Sequence, residues 1–129
     1  MTYSNFLRTV LKYDAASCLG MAALLLPFAD GLAGPLGISS ELLTWAGAAL
    51  IPIGLFIGWL GVRGQGQEAL VWLVILGNLG WVAASFGVAA NLPGITPAGT
   101  LVVVAQSLTV LLLSVLEARG LRMGRAAAV

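Results

Sequence analysis

Hydrophobic positions in this chain neither alternate with polar ones nor recur as a single amphipathic stripe. They come as blocks near 13–33, 42–62, 69–90 and 98–116. Each block is about 18–22 residues long, enough to cross a ~30 Å hydrocarbon core at ~1.5 Å per residue. Short alternating strands separated by turn signals are absent, which excludes a membrane barrel. The pattern predicts an all-α integral membrane four-helix bundle, with residues 1–129 forming one domain.

Composition supports this. The chain is 60% hydrophobic and 9% charged, whereas a soluble domain carries about 25% charged residues. A net charge of +1, with no basic patch interleaved with exposed aromatics, excludes nucleic acid as a partner. The expected partner is the lipid bilayer, with a homodimer or another membrane protein as a further one. The basic residues Arg8, Lys12, Arg63, Arg119, Arg122 and Arg125 all fall on one side once the spans are drawn, and the opposite loops hold only Asp30 and Glu41. By the positive-inside rule both termini are expected to be cytoplasmic. Arg8 and Lys12, the apolar stretch 18–28 and the small residues at 31–33 imitate a cleaved signal peptide. Asp14 interrupts that junction, which favours an uncleaved first span.

The loops carry helix-start signals. Ser39 or Ser40, and Thr96 followed by Pro97, suit an N-cap with proline in the first turn. Gly37-Ile38 and Gly94-Ile95 stand at equivalent turns, and the same offset aligns Leu19-Gly20 with Leu76-Gly77. This admits a duplicated helical hairpin, although such matches also arise by chance in apolar sequence. Residues 5–13 read as an extension of span 1 rather than a separate interfacial helix.

Small residues predict where helices approach closely, because packing rather than hydrophobicity drives association in lipid. Gly47, Gly54, Gly58 and Gly61 share a face of span 2, and Gly77, Gly80, Ala84 and Gly87 share a face of span 3. Two such faces on consecutive helices predict a tight contact between spans 2 and 3, with a dimer interface as the alternative. Pro52 frees the carbonyl near Ala48 and predicts a kink.

Polar residues inside the blocks carry the candidate chemistry. Asn78 lies about 15 Å along its helix from Glu68, and Gln106 about 16 Å from Glu117. The matching depths predict that Asn78 pairs with Gln106, or with the carbonyl freed by Pro52, as interhelical glue. The alternative is functional: Asn78, Trp81 and Ser85 line one stripe, and with Gln106 and Thr109 across from it they would enclose a pocket for a lipid-soluble ligand. Trp45, Trp59 and Trp72 lie nearer span ends, where an interfacial belt explains them; Trp81 is deeper and escapes that explanation. Asp14 is a candidate proton or ion site, with a rim ion pair to Lys12 or Arg63, or a solvated acid, as the preferred reading. Asp30, Glu41, Glu68 and Glu117 read as rim charges. Arg119, Arg122 and Arg125 read as a topology anchor with some attraction to anionic lipid.

Enzymatic readings find little support. The chain has no histidine and a single cysteine, Cys18, so imidazole catalysis, histidine metal ligation and dithiol chemistry are excluded. Cys18 reads as a small packing residue. No cofactor and no metal are expected.

Three stretches, "LKYDAASCLG" (11–20), "VWLVILGNLGWVAAS" (71–85) and "AQSLTVLLLSVLEARGLR" (105–122), resemble a loose group of small four-span proteins of the bacterial inner membrane. The resemblance implies that fold and location and no activity. Small multidrug transporters share the size and span count, but would need a carboxylate well inside span 1, and Asp14 reads as too near the edge. The signature of fluoride channels is missing. The leading expectation is a non-enzymatic accessory or structural protein acting through helix–helix contacts, followed by a carrier or binder of a lipophilic molecule beside Trp81. A cavity beside Trp81 would separate the two.

Overall fold

The computed structural model describes residues 2–128, with side chains through residue 123. Its four helices are α1 (Asn5–Leu36), α2 (Ser40–Arg63), α3 (Glu68–Asn91) and α4 (Pro97–Ala128). All four are long and apolar enough to cross a membrane, as the block pattern predicts. Segment 5–13 continues α1 without a break. The side chain of Arg125 lies outside the described residues.

Capping explains where the helices start. The hydroxyls of Ser4, Ser39 and Thr96 accept from the N–H groups of Leu7, Leu42 and Gly99 at 3.1, 3.1 and 3.0 Å. Each satisfies an orphan donor of a first turn. Gly37 (φ 67) ends α1 and Gly94 (φ 81) turns the α3–α4 loop, in backbone conformations that glycine adopts without penalty. The Thr96 hydroxyl donates to the Pro35 carbonyl at 2.7 Å, and the Thr96 N–H donates to that of Leu36 at 3.1 Å. These bonds clasp the C-terminal end of α1 to the α3–α4 turn. At the end that holds the termini, Tyr3 N–H donates to Gly64 O at 2.9 Å and its hydroxyl to Gln67 O at 3.2 Å. The Arg8 guanidinium donates to the Gly61 and Val62 carbonyls at 3.3 Å each, satisfying the last turn of α2. Burial pushes the Tyr3 phenol up from its ordinary value, partly offset by the positive charge of Arg63.

Helix packing departs from expectation. α1 packs along α2 and α4, and α3 along α4, whereas α2 and α3 do not pack along one another. The small face of α2 receives α1 instead. Side chains of Leu25 and Leu26 lie over Gly47, Cys18 and Leu19 over Gly54, Ala15 over Gly58, and Leu11 over Gly61. On α3, a Cβ at Gly77, Gly80 or Gly87 would meet nothing within 4 Å. Glycine spacing marks a face that admits close approach but not the partner that arrives; α1 fills the groove of α2 with its row of Leu, Ala and Cys. α2 runs helical through Pro52. The principal core is built on Leu7, Leu11, Ala15 and Cys18 of α1, with Ile57 and Leu60 of α2, Val71 and Ile75 of α3 and Leu121 of α4.

Candidate functional site: a buried carboxyl pair beside a lateral cleft

Asp14 is fully buried rather than solvated at a rim. Because α1 begins at Asn5, residue 14 is carried well into the bundle, level with Asn78 on the parallel helix α3. Asn78 Nδ2 donates to Asp14 Oδ2 at 2.7 Å, and Cys18 Sγ donates to Asp14 Oδ1 at 3.8 Å. Among the described residues Asp14 forms no ion pair with Lys12 or Arg63. The partner of Asn78 is therefore Asp14 of α1, neither Gln106 nor a carbonyl near Pro52. A carboxylate accepts a charge-assisted bond, roughly twice as strong as a neutral one, which is reason enough for the amide to turn toward it.

Glu117 is the larger departure. It too is fully buried, with its carboxyl within hydrogen-bonding reach of Asp14. Among the described residues neither of its oxygens has a hydrogen-bond donor. Two ionised carboxylates are both acceptors, so no bond joins them unless one carries a proton. The rim position read from sequence fails because α4 continues to Ala128, placing Glu117 a full helical stretch from its end. A signal for this exists in the chain. Ser107, Val110, Ser114 and Glu117 recur at steps of three and four, and all are buried on one face of α4. The two serines return their hydroxyls to Val103 and Val110 carbonyls at 2.7 and 2.9 Å, which leaves Glu117 as the face's one unsatisfied group.

Nearer the clasped turns, a second polar cluster joins α3 to α4. Trp81 Nε1 donates to Gln106 Oε1 at 3.0 Å, and Gln106 Nε2 donates to Ser85 Oγ and Ser107 Oγ, each at 3.0 Å. Of the residues expected to line a pocket, Trp81, Ser85 and Gln106 are thus brought together by hydrogen bonds. Thr109 does not join it; it is exposed on the outer face, its hydroxyl bonded at 3.0 Å to the Ala105 carbonyl of its own helix.

The separation of α2 from α3 opens a cleft. One cavity of ≈ 380 Å³ is walled by Cys18, Phe56, Ile57, Gly77, Asn78 and Trp81, and another of ≈ 430 Å³ by Leu25, Leu43, Trp45, Ala84, Ser85 and Val88. Met21, Trp81 and Gln106 wall both, so the Trp81–Gln106 bond stands where the two meet. Apart from these polar groups and Ser17, the walls are apolar. Asn78 lines the first cavity; one of its N–H groups is given to Asp14, while its Oδ1 accepts no hydrogen bond among the described residues. No protein family, curated protein or solved structure matches this chain.

Proposed function

We propose that the chain is a non-enzymatic membrane protein that binds or carries an elongated lipophilic molecule bearing a hydroxyl or N–H group. The observation that carries this reading is the pair of cavities in series beside Trp81. A core held together by polar glue alone would be filled, because interhelical hydrogen bonds in bilayers are worth only about 0.6 kcal/mol on average and helices otherwise associate by packing. Volumes of several hundred cubic ångströms, apolar walls and few polar groups are the marks of a ligand site. The hydrocarbon part of the ligand runs past Trp81 through both cavities, and its donor meets Asn78 Oδ1. Entry is sideways from lipid between α2 and α3. The basic residues gathered at the end that holds the termini support a cytoplasmic position for both, in a bacterial inner membrane. The paired positive-φ glycines Gly37 and Gly94 favour a duplicated hairpin as its origin.

An accessory role through contacts with a second copy or another membrane protein is the second reading, favoured by the open face of Gly77, Gly80 and Gly87. Native mass spectrometry of the full chain after gentle extraction separates the two. The binding reading expects one small molecule retained in 1:1 ratio by the unaltered chain and lost from Ala84→Phe, which fills the second cavity. A dimer carrying nothing but loosely held phospholipid overturns it in favour of the accessory role.

A further inference from the structure

We propose that Asp14 and Glu117 together form a proton-binding site, in which one exchangeable proton resides on Glu117 and is donated to the Asp14 carboxylate. The inference is independent of the binding reading of the cleft. It starts from an accounting of donors. Asp14 Oδ2 receives the Asn78 amide and Oδ1 the Cys18 thiol, whereas both Glu117 oxygens lack any donor in a fully buried side chain. An uncompensated buried charge is among the most costly arrangements in a protein, and more so in a bilayer. A proton on Glu117 removes that charge and supplies the one donor the pair lacks.

Among the described residues no hydrogen bond or ion pair compensates Glu117. α1 presents Asp14 and Cys18 to the site, α3 presents Asn78, and α4 presents Glu117 itself with the self-satisfied Ser114. The titratable residues of α2 are Glu41 and Arg63, near its ends. The Arg8 guanidinium is committed to the Gly61 and Val62 carbonyls, and Lys12 of α1 and Arg119 and Arg122 of α4 are exposed. Among the described residues no group of Cys, Asp and Glu is arranged to hold a metal ion. A proton is the cation that fits.

When the proton leaves, the Glu117 O–H bond breaks, the proton passes to water, and two carboxylates face one another in an apolar surround, where like charges repel strongly. Asn78 then stands between a doubly charged pair and the cleft it lines. The protonation state of the pair and the position of that amide are thereby coupled, and the amide is a polar group in the wall of the first cavity.

The test is infrared difference spectroscopy of the full chain in lipid nanodiscs, titrated from neutral to alkaline pH. The expected result is one protonated-carboxyl stretch present at neutral pH and lost on alkalinisation. It shifts when the protein is labelled at the side-chain carboxyl carbon of glutamate, and it is absent from Glu117→Gln. That variant keeps a donor toward Asp14 and mimics the protonated state, so its thermal stability at neutral pH stays within a few degrees of the unaltered chain. Asp14→Asn changes the frequency and the titration midpoint of the band, and Glu41→Gln changes neither. A chain with no protonated-carboxyl band at neutral pH, or a band insensitive to glutamate labelling, overturns the proposal. The labelling arm stands even where a variant fails to fold, and no arm needs a cleft ligand, so failure here leaves the binding reading intact.

Discussion

Replacing glycine with alanine on α2 and on α3 should have opposite consequences, although the two faces look alike in sequence. At Gly54 a Cβ would lie 2.8 Å from Leu19 Cγ and 3.1 Å from Cys18 Cβ. Both are atoms near the root of their side chains, so they yield only if α1 and α2 move apart. At Gly77 and Gly80 the same atom meets nothing within 4 Å. The intrinsic helix preference of alanine over glycine, about 0.8–1.0 kcal/mol, acts at all three positions and cancels in the comparison. What remains is the overpacking cost at Gly54, about 1–3 kcal/mol. Gly54→Ala should therefore be less stable than Gly77→Ala or Gly80→Ala by that amount, the latter two being neutral or slightly stabilised. Reversible unfolding in mixed micelles, with denaturing detergent as the titrant and circular dichroism as the signal, measures the gap. Equal losses for the three variants would refute the reasoning and show the small face of α3 to be packed. A dependence on protein concentration would then identify a second copy as the packing partner.

Other consequences follow from the same geometry. Gly99→Ala drives its Cβ into the Leu36 carbonyl, a backbone atom that cannot swing away, and should cost about 1–3 kcal/mol or more in the same unfolding assay. Gln106→Leu strands the Trp81 indole N–H and the Ser85 hydroxyl at once; the loss should reach about 1–2 kcal/mol, with Trp81 emission altered in a variant whose other tryptophans are phenylalanine. Tyr3→Phe removes the bond to Gln67 and should cost about 0.5–1.5 kcal/mol. The Tyr3 phenol is held neutral by burial, its folded-state value lying above the unfolded 10.0. Its contribution is therefore complete below that pH and is lost as pH rises through the folded value. Alkaline unfolding curves of the unaltered chain should show this loss, and those of Tyr3→Phe should not.

Much of the architecture was readable because its causes are local. Apolar runs of bilayer length become helices wherever backbone groups must satisfy one another. Ser39 and Thr96 cap because a hydroxyl at that position meets orphan N–H groups whatever lies beyond. Trp81 and Ser85 share a stripe by helical spacing, and Gln106 stands opposite at matching depth, which is why the three could be grouped. The same depth argument paired Gln106 with Asn78, whose amide goes to Asp14 instead. Thr109 was misplaced because a threonine hydroxyl can satisfy itself on its own helix and so needs to face nothing.

The sequence by itself determined how many helices there are, where they start and turn, and which positions tolerate close approach. Tertiary structure alone decided which helix fills which groove. α1 rather than α3 took the small face of α2, and that choice left α2 and α3 apart and opened the cleft. It also brought Asp14 and Glu117, more than a hundred positions apart in the chain, against one another. Helical periodicity fixes the angle at which a side chain leaves its own axis; it carries no term for the neighbour, because that depends on the joint packing of all four helices.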